Sequence, residues 1–178
     1  MPLIHRLRLV GLCTLARAAT IDGASIVTRK QLTLESADMM ASAAIAEAKS
    51  KNFNDISVSV LDATGRELVA KTQIGCPRLI PAMARAKAGA AIGTHSSSRA
   101  LKEKYLPERE YQLQAMTTIG NGNSMPFVAV PGGVICKDDE GDIIGAIGVS
   151  GASADEDEAC AVAGAEMAGF KALKFESE

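Results

Sequence analysis

Residues 141–161 read GDIIGAIGVSGASADEDEACA: a turn, then an apolar run, then an acidic, alanine-rich segment. Every position of residues 143–149 is apolar or glycine, which is typical of a central strand covered on both faces. Ser153 and Glu156 match the S-x-x-E capping box, and the four consecutive acids that include Glu156 suit the N-terminal end of a helix dipole. The stretch therefore predicts a buried strand that turns sharply, at the sequence GVSG, into a helix.

Apolar runs elsewhere in the chain predict the rest of a sheet. In residues 56–60, apolar residues alternate with Ser57 and Ser59, the period of a half-buried strand, and a D-A-T-G turn leads into a returning strand. A second hairpin joins residues 132–137 to residues 143–149 across an acidic turn, and FVAV at residues 127–130 adds another strand. We therefore expect about five strands in a mostly antiparallel sheet.

Helices are expected on the apolar faces of this sheet, which makes the fold class α+β. Thr33 is a suitable N-cap for a helix that follows it, and AMARAKAGAAIG, residues 82–93, predicts a helix dense in Ala and Gly. Arg85 and Lys87 are expected on its solvent face, with anion binding as the alternative. A short helix follows at residues 96–106, residues 107–125 form a loop with a short helix, and the last helix runs to about Phe170.

The chain is interpreted as a leader (residues 1–28), one domain (residues 29–172) and a short tail (residues 173–178). The leader carries Arg6, Arg8 and Arg17 and no acid before Asp22, which is the composition of a mitochondrial transit peptide and equally of a basic cytosolic leader. The predicted location is therefore cytoplasmic or mitochondrial. No run approaches the roughly 20 apolar residues of a membrane span.

Composition argues against several functions. A net charge of −2, 3% aromatic residues and no Trp provide neither a phosphate-binding groove nor stacking platforms for nucleic acid. The four cysteines are far apart, with no C-x-x-C pair, so they are interpreted as small buried residues rather than zinc ligands. The acids of residues 138–142 and 155–158 are interpreted as a solvated hairpin tip and helix start, not as metal sites.

Motifs for nucleophilic or nucleotide chemistry do not fit. Ser150 is followed directly by Gly151, so the G-x-S-x-G spacing fails, and both histidines, His5 and His95, precede it. The acids after Gly151 would repel a phosphate at that helix N-terminus. His95 is a candidate haem ligand or a partner of a helix C-terminus. Further possible ligands, which no spacing selects, are Tyr105, Tyr111, Cys76 and Met116. The residues alone thus indicate an α+β binding domain or a small enzyme.

Four stretches together resemble the GlcG/HbpS family of haem-binding or haem-degrading domains, which also supplies the C-terminal domain of PduO-type proteins. These stretches are LTLESADMMASAAIAEAKSK, ISVSVLDATGRELVA, AMARAKAGAA and GGVICKDDEGDIIGAIGVSGASADEDEACAVAG. The resemblance implies a profilin-like sheet flanked by helices, homo-oligomers, and binding of haem or a corrinoid. Arg66 stands where the family often has His, and Ala90 where it usually has a hydroxyl. Family positions match at Lys87, Gly132, Gly133, Gly148, Ser150, Gly151, Asp157 and Ser98.

The leading hypothesis is a protein that binds haem or a related tetrapyrrole between the Ala-rich helix, the THSSS turn and the GVSG corner. In it, His95 or a hydroxyl faces the iron and Lys87 pairs with a propionate. The candidate cofactor-binding residues are His95, Ser98, Lys87, Arg85, Gly132, Gly133 and Ser150, with His95 as the metal ligand. The first alternative is a small enzyme that acts on glycolate-like hydroxy or keto acids. In it, Lys87 or Arg85 binds the carboxylate and Asp157 or Glu108 acts as base. The second alternative is a corrinoid-binding protein or a purely oligomeric structural partner.

Overall fold

The computed structural model describes residues 29–173, which contain five helices and five strands. The helices are α1 (Leu34–Ser50), α2 (Ile80–Thr94), α3 (Ser98–Tyr105), α4 (Glu110–Gly122) and α5 (Ala154–Met167). The strands are β1 (Ser57–Asp62), β2 (Glu67–Thr72), β3 (Gly133–Lys137), β4 (Ile143–Ser150) and β5 (Lys171–Leu173). They form one sheet in the order β2-β1-β4-β3-β5, and every neighbouring pair is antiparallel. This confirms the predicted α+β class.

β4 is the central strand, and helices cover it on both faces, as residues 143–149 predict. On one face, Leu61, Ile135 and Ala146 pack against α2. On the other face, apolar residues of β1, β3 and β4 pack against α1 and α5, including Val58, Val134 and Ile147. The sheet therefore lies between two helical layers, and any contact between these layers must pass around its end.

α2 approaches the sheet closely because glycines face it. A Cβ placed on Gly148 would lie 2.1 Å from the carbonyl oxygen of Ala84, and one on Gly133 would lie 2.2 Å from that of Lys87. Within the helix, a Cβ on Gly89 would lie 2.1 Å from the carbonyl oxygen of Pro126. A glycine inside a helix costs about 1 kcal/mol relative to alanine. Gly89 is nevertheless required, because any side chain there would collide with the backbone of Pro126.

The sharp turn between β4 and α5 is a strand-to-helix corner, as predicted. Gly151 has φ +139°, and a Cβ on it would lie 2.3 Å from the carbonyl oxygen of Asp55. The capping box of α5 is formed in both directions: Ser153 accepts a hydrogen bond from the N–H of Glu156, whose carboxylate accepts one from the N–H of Ser153. Thr33 likewise caps α1, accepting a hydrogen bond from the N–H of Ser36.

Two strand predictions are wrong. FVAV is not a strand: Phe127 and Ala129 are buried against α2 and α3, and Val128 donates its N–H to the carbonyl oxygen of Ala86 rather than to a strand. The fifth strand is instead β5, which pairs with β3. β1 is also not half-buried, because α2 covers its second face and leaves Ser57 and Ser59 each 2% exposed.

The segment after α3 contains more helix than expected. α4 spans 13 residues and none of its side chains is buried.

No helix within residues 29–173 is both long and apolar enough to cross a membrane. The leader, residues 1–28, and residues 174–178 of the tail lie outside the described residues, while Leu173 ends β5.

Candidate functional site

A buried ion pair connects the two helical layers. Lys87 Nζ on α2 lies 2.7 Å from Asp157 Oδ2 on α5, and the two side chains are 2% and 3% exposed. Gly132 makes room for this contact, since a Cβ there would lie 3.0 Å from both Lys87 Nζ and Asp157 Cβ. The pair therefore passes the end of the sheet at the residue just before β3.

The pair is buried, and its carboxylate makes a second hydrogen bond. Asp157 Oδ1 accepts a hydrogen bond of 3.0 Å from the N–H of Ala152, so its second oxygen is also used. Burial lowers the pKa of Lys87 and raises the pKa of Asp157, and the hydrogen bond between them opposes both shifts. The expectation that Lys87 lies on the solvent face of α2 is therefore wrong. Its charge is directed to Asp157 and not to the outside.

Ser98 hydrogen-bonds to the backbone of Gly133, the first residue of β3. Its hydroxyl accepts a hydrogen bond of 2.8 Å from the N–H of Gly133 and donates one of 3.3 Å to the carbonyl oxygen of the same residue, and the side chain is fully buried. Gly132 has φ +121°, and its carbonyl oxygen accepts the N–H of Val149. Ser150 is 5% exposed at the adjoining end of β4. The hydrogen bonds of Ser98, Gly132 and Gly133 are thus made within the chain.

His95 lies elsewhere. It caps the C-terminal end of α2 in the left-handed conformation, with φ +53° and an exposed side chain. Eight residues separate it from Lys87, which is roughly 12 Å along a helix axis. His95 lines a cleft of about 500 Å³ together with Arg29, Lys30, Ala63, Asp142 and Ile143. Most of the predicted site residues are thus buried around Lys87 and Ser98, whereas His95 lines an open cleft.

The cleft is lined by an imidazole, by charged side chains of both signs and by apolar side chains. Lys30 Nζ lies 2.7 Å from Asp138, 2.6 Å from Glu140 and 3.5 Å from Asp142. Its charge is therefore largely neutralised, whereas the guanidinium of Arg29 adds a cation to the wall. The lining thus offers one nitrogen ligand from His95, apolar surface from Ala63 and Ile143, and one basic group, that of Arg29, beside the carboxylate of Asp142.

Arg85 belongs to neither group. Its Nη1 lies 3.7 Å from Glu67 Oε2, and Glu67 Oε1 accepts a hydrogen bond of 2.7 Å from Ser59. Arg85 Nε is buried and has no acceptor within residues 29–173. Arg85 thus lies over the edge of the sheet formed by β1 and β2, away from His95 and from the buried pair.

The remaining candidates lie outside the lining of the cleft. Tyr105 and Met116 pack around α3 and α4, Tyr111 is exposed on α4, and Glu108 is exposed between these helices. Cys76 is half-buried before α2, and burial raises the pKa of its thiol. Burial also raises the pKa of Cys136 to about 12 and that of Cys160 to about 11, as expected of small core residues.

The sequence reasoning missed Arg29 and Lys30, which stand at the boundary with the leader. The signal that could have found Lys30 is electrostatic: a lysine precedes α1, and three acids cluster at the hairpin tip between β3 and β4. Oxygen atoms of Asp138, Glu140 and Asp142 lie within 4.8 Å of one another around the Lys30 ammonium. Arg99 was missed too; it pairs with Asp155 and Glu158 at the start of α5.

Solved structures share this architecture. HbpS is 29% identical with a TM-score of 0.68, over 81% of this chain and 94% of HbpS. PduOC, solved in a complex with haem, is 22% identical with a TM-score of 0.68, over 81% of this chain and 99% of PduOC. Klebsiella pneumoniae protein ORFY is 20% identical with a TM-score of 0.70, over 82% and 96% of the two chains. At these identities, PduOC and ORFY support the fold alone.

The antiparallel sheet between α2 and the α1–α5 layer thus defines an α+β domain of the type seen in HbpS. The family model of the HbpS-like proteins, "Haem degrading protein HbpS-like", matches residues 32–166. The chain therefore belongs to the HbpS-like family. No curated protein matches it.

Proposed function

We propose that the protein binds haem or a related tetrapyrrole in the cleft that His95 lines. Membership of the HbpS-like family supports a haem-related ligand, and PduOC, which shares the fold, was solved in a complex with haem. The observation that carries the placement is an exposed imidazole at the end of α2, in a cleft of about 500 Å³. Histidine is a common axial ligand of haem iron.

The residues around His95 suit the other parts of such a ligand. Ala63 and Ile143 offer apolar surface to a macrocycle, and Arg29 offers a guanidinium to a propionate. Lys30 contributes less to the ligand, because three carboxylates already surround its ammonium group. Bound haem would supply an iron centre, and the protein's part is to ligate and orient it.

The proposal does not use Lys87, Ser98, Gly132, Gly133 or Ser150 as ligand contacts. For Lys87 to pair with a propionate, it would have to leave Asp157, and an unpaired buried carboxylate is costly. The same contact removes support from one form of the enzyme alternative on glycolate-like acids, the form in which Lys87 binds substrate and Asp157 acts as base. The form that uses Arg85 and Glu108 stays a prediction. No feature of the described residues favours corrinoid over haem.

Titration of the purified protein with haemin, followed by the Soret band, tests the proposal. We expect a shifted Soret band in the wild type and its loss or displacement in His95→Ala. His5→Ala is the matched control, because the chain contains two histidines. An unshifted band in the wild type, or the same titration curve in His95→Ala, removes the assignment.

Two further expectations remain predictions. Assembly into homo-oligomers is tested by light scattering coupled to size-exclusion chromatography, and a monomer would contradict it. A mitochondrial rather than cytoplasmic location is tested by the N-terminus of the protein isolated from its own cells, since import would remove most of residues 1–28.

A further inference from the structure

We propose that residues 29–32 form a strap that serves as a releasable wall of the His95 cleft, so that retention of a bound ligand depends on the Lys30 ion pairs. The inference rests on the proposed function for the identity of the ligand. The strap itself is inferred from two contacts, the ion pairs of Lys30 and the packing of Leu32. Arg29 and Lys30 line the cleft together with the imidazole of His95, which follows a different element, α2.

The outer end of the strap is held by charge at the surface. Lys30 Nζ lies within 2.7 Å of carboxylate oxygens of both Asp138 and Glu140. The acids do not need Lys30 to keep their arrangement, because Asp138 Oδ1 accepts hydrogen bonds from the N–H groups of Glu140 and Asp142. The lysine side chain is 45% exposed, so salt screens this contact and the strap end can leave without unfolding the hairpin.

The inner end of the strap is held by packing. Leu32 is 7% exposed and belongs to the core between the sheet and α1. A Cβ placed on Gly145 would lie 2.4 Å from Leu32 Cδ1, so Leu32 fills the space that this glycine leaves on β4. The strap therefore has a fixed inner end at Leu32 and a releasable outer end at Lys30.

The releasable part of the strap lies just outside the stretch that matches the family model. The match to the HbpS-like family begins at residue 32, and residues 29–31 precede it.

Trypsin cleavage after Arg29 measures release of the strap. A protease must bind several residues on each side of the bond as a free chain, so cleavage here requires Lys30 to leave the acids. We expect the full-length Lys30→Gln variant to be cut after Arg29 about fivefold faster than the wild type, by intact-mass spectrometry. Glu140→Gln, which keeps every basic residue, should accelerate the same cleavage.

Lys171→Gln is the matched control. Lys171 pairs with Asp139 on the same hairpin at 3.4 Å and does not line the cleft. The Lys171→Gln variant should be cut after Arg29 at the same rate as the wild type. The second measurement is the rate at which the haemin-loaded protein loses haem to an excess of apomyoglobin, which we expect to rise in Lys30→Gln and not in Lys171→Gln.

The outcomes separate the two proposals. Equal cleavage in all variants overturns the strap, and faster cleavage with unchanged haem loss overturns its role as a wall. If the wild type shows no Soret shift, the proposed function fails and the ligand role of the strap fails with it. Haem binding in the wild type with equal release from Lys30→Gln removes this inference alone.

Discussion

Breaking the pair between Lys87 and Asp157 should cost a large part of the stability of the domain. Both side chains are at most 3% exposed, so Asp157→Ala leaves the Lys87 amine buried without its partner and the N–H of Ala152 without an acceptor. Removal of one partner of a buried pair typically costs about 3–5 kcal/mol. That loss compares with total unfolding free energies of about 5–15 kcal/mol for natural domains.

The double variant Lys87→Met with Asp157→Leu separates charge from shape. Apolar residues that replace both members of a buried pair are often neutral or stabilising. We therefore expect the double variant to recover the loss due to the unpaired amine of Lys87, but not the smaller loss due to the N–H of Ala152, which leucine also leaves without an acceptor. Urea unfolding monitored by far-UV circular dichroism gives the free energies, with Lys49→Met on the exposed face of α1 as the control, expected within about 0.5 kcal/mol of wild type.

The single variant Lys87→Met should also change how stability depends on pH. Lys87 lowers the pKa of Asp157 while burial raises it, so without Lys87 the folded-state pKa moves further above the usual value of 3.8. The folded state then keeps a proton that the unfolded state releases above about pH 4. Stability should therefore fall as the pH rises through the folded-state pKa, by at most about 1.4 kcal/mol per pH unit.

Two results would refute this reasoning. One is an Asp157→Ala variant that loses less than about 1 kcal/mol, which would mean that the pair is solvated or absent. The other is a double variant as unstable as Asp157→Ala, which would mean that packing or the lost acceptor of the Ala152 N–H, and not an unpaired charge, sets the cost.

Two smaller predictions concern the α2 side of the sheet. Gly148→Ala should lose about 1–3 kcal/mol or more in urea unfolding, because its Cβ would meet backbone atoms of Ala84 and Ala88 within 2.6 Å; Gly122→Ala, with nothing within 4 Å, should be neutral or slightly stabilising. Ser98→Ala should cost about 1–3 kcal/mol by leaving the buried N–H of Gly133 without an acceptor, and an unchanged urea midpoint would contradict the role given to its hydroxyl.

The local features of the sequence predicted the fold where one physical rule decided the outcome. The unbroken apolar run of β4 implied cover on both faces, and the capping box fixed the start of α5. FVAV misled because an apolar run alone does not say whether its backbone will pair with a strand or its side chains will pack on helices. β5 carries only three residues, too few for a periodic signal.

The candidate site was harder to predict because it depends on contacts between distant parts of the chain. Nothing near Lys87 in the sequence shows that Asp157, 70 residues later, will meet it past Gly132. A lysine on an alanine-rich helix is usually exposed. Here Lys87 is buried, because Gly132 has no side chain to fill the space that the ammonium group occupies. His95 and Ser98 are three residues apart, yet one lines a cleft and the other is fully buried.

The glycines that bring α2 onto the sheet give the two faces of β4 different tolerance to mutation. On the α1 and α5 side, branched side chains such as Ile147 and Val149 meet other side chains, which can change rotamer to absorb a change in volume. On the α2 side, Gly148 meets backbone atoms, and a backbone cannot change rotamer. Random mutagenesis should therefore recover many functional sequences that differ on the first face of this strand and few that differ on the second.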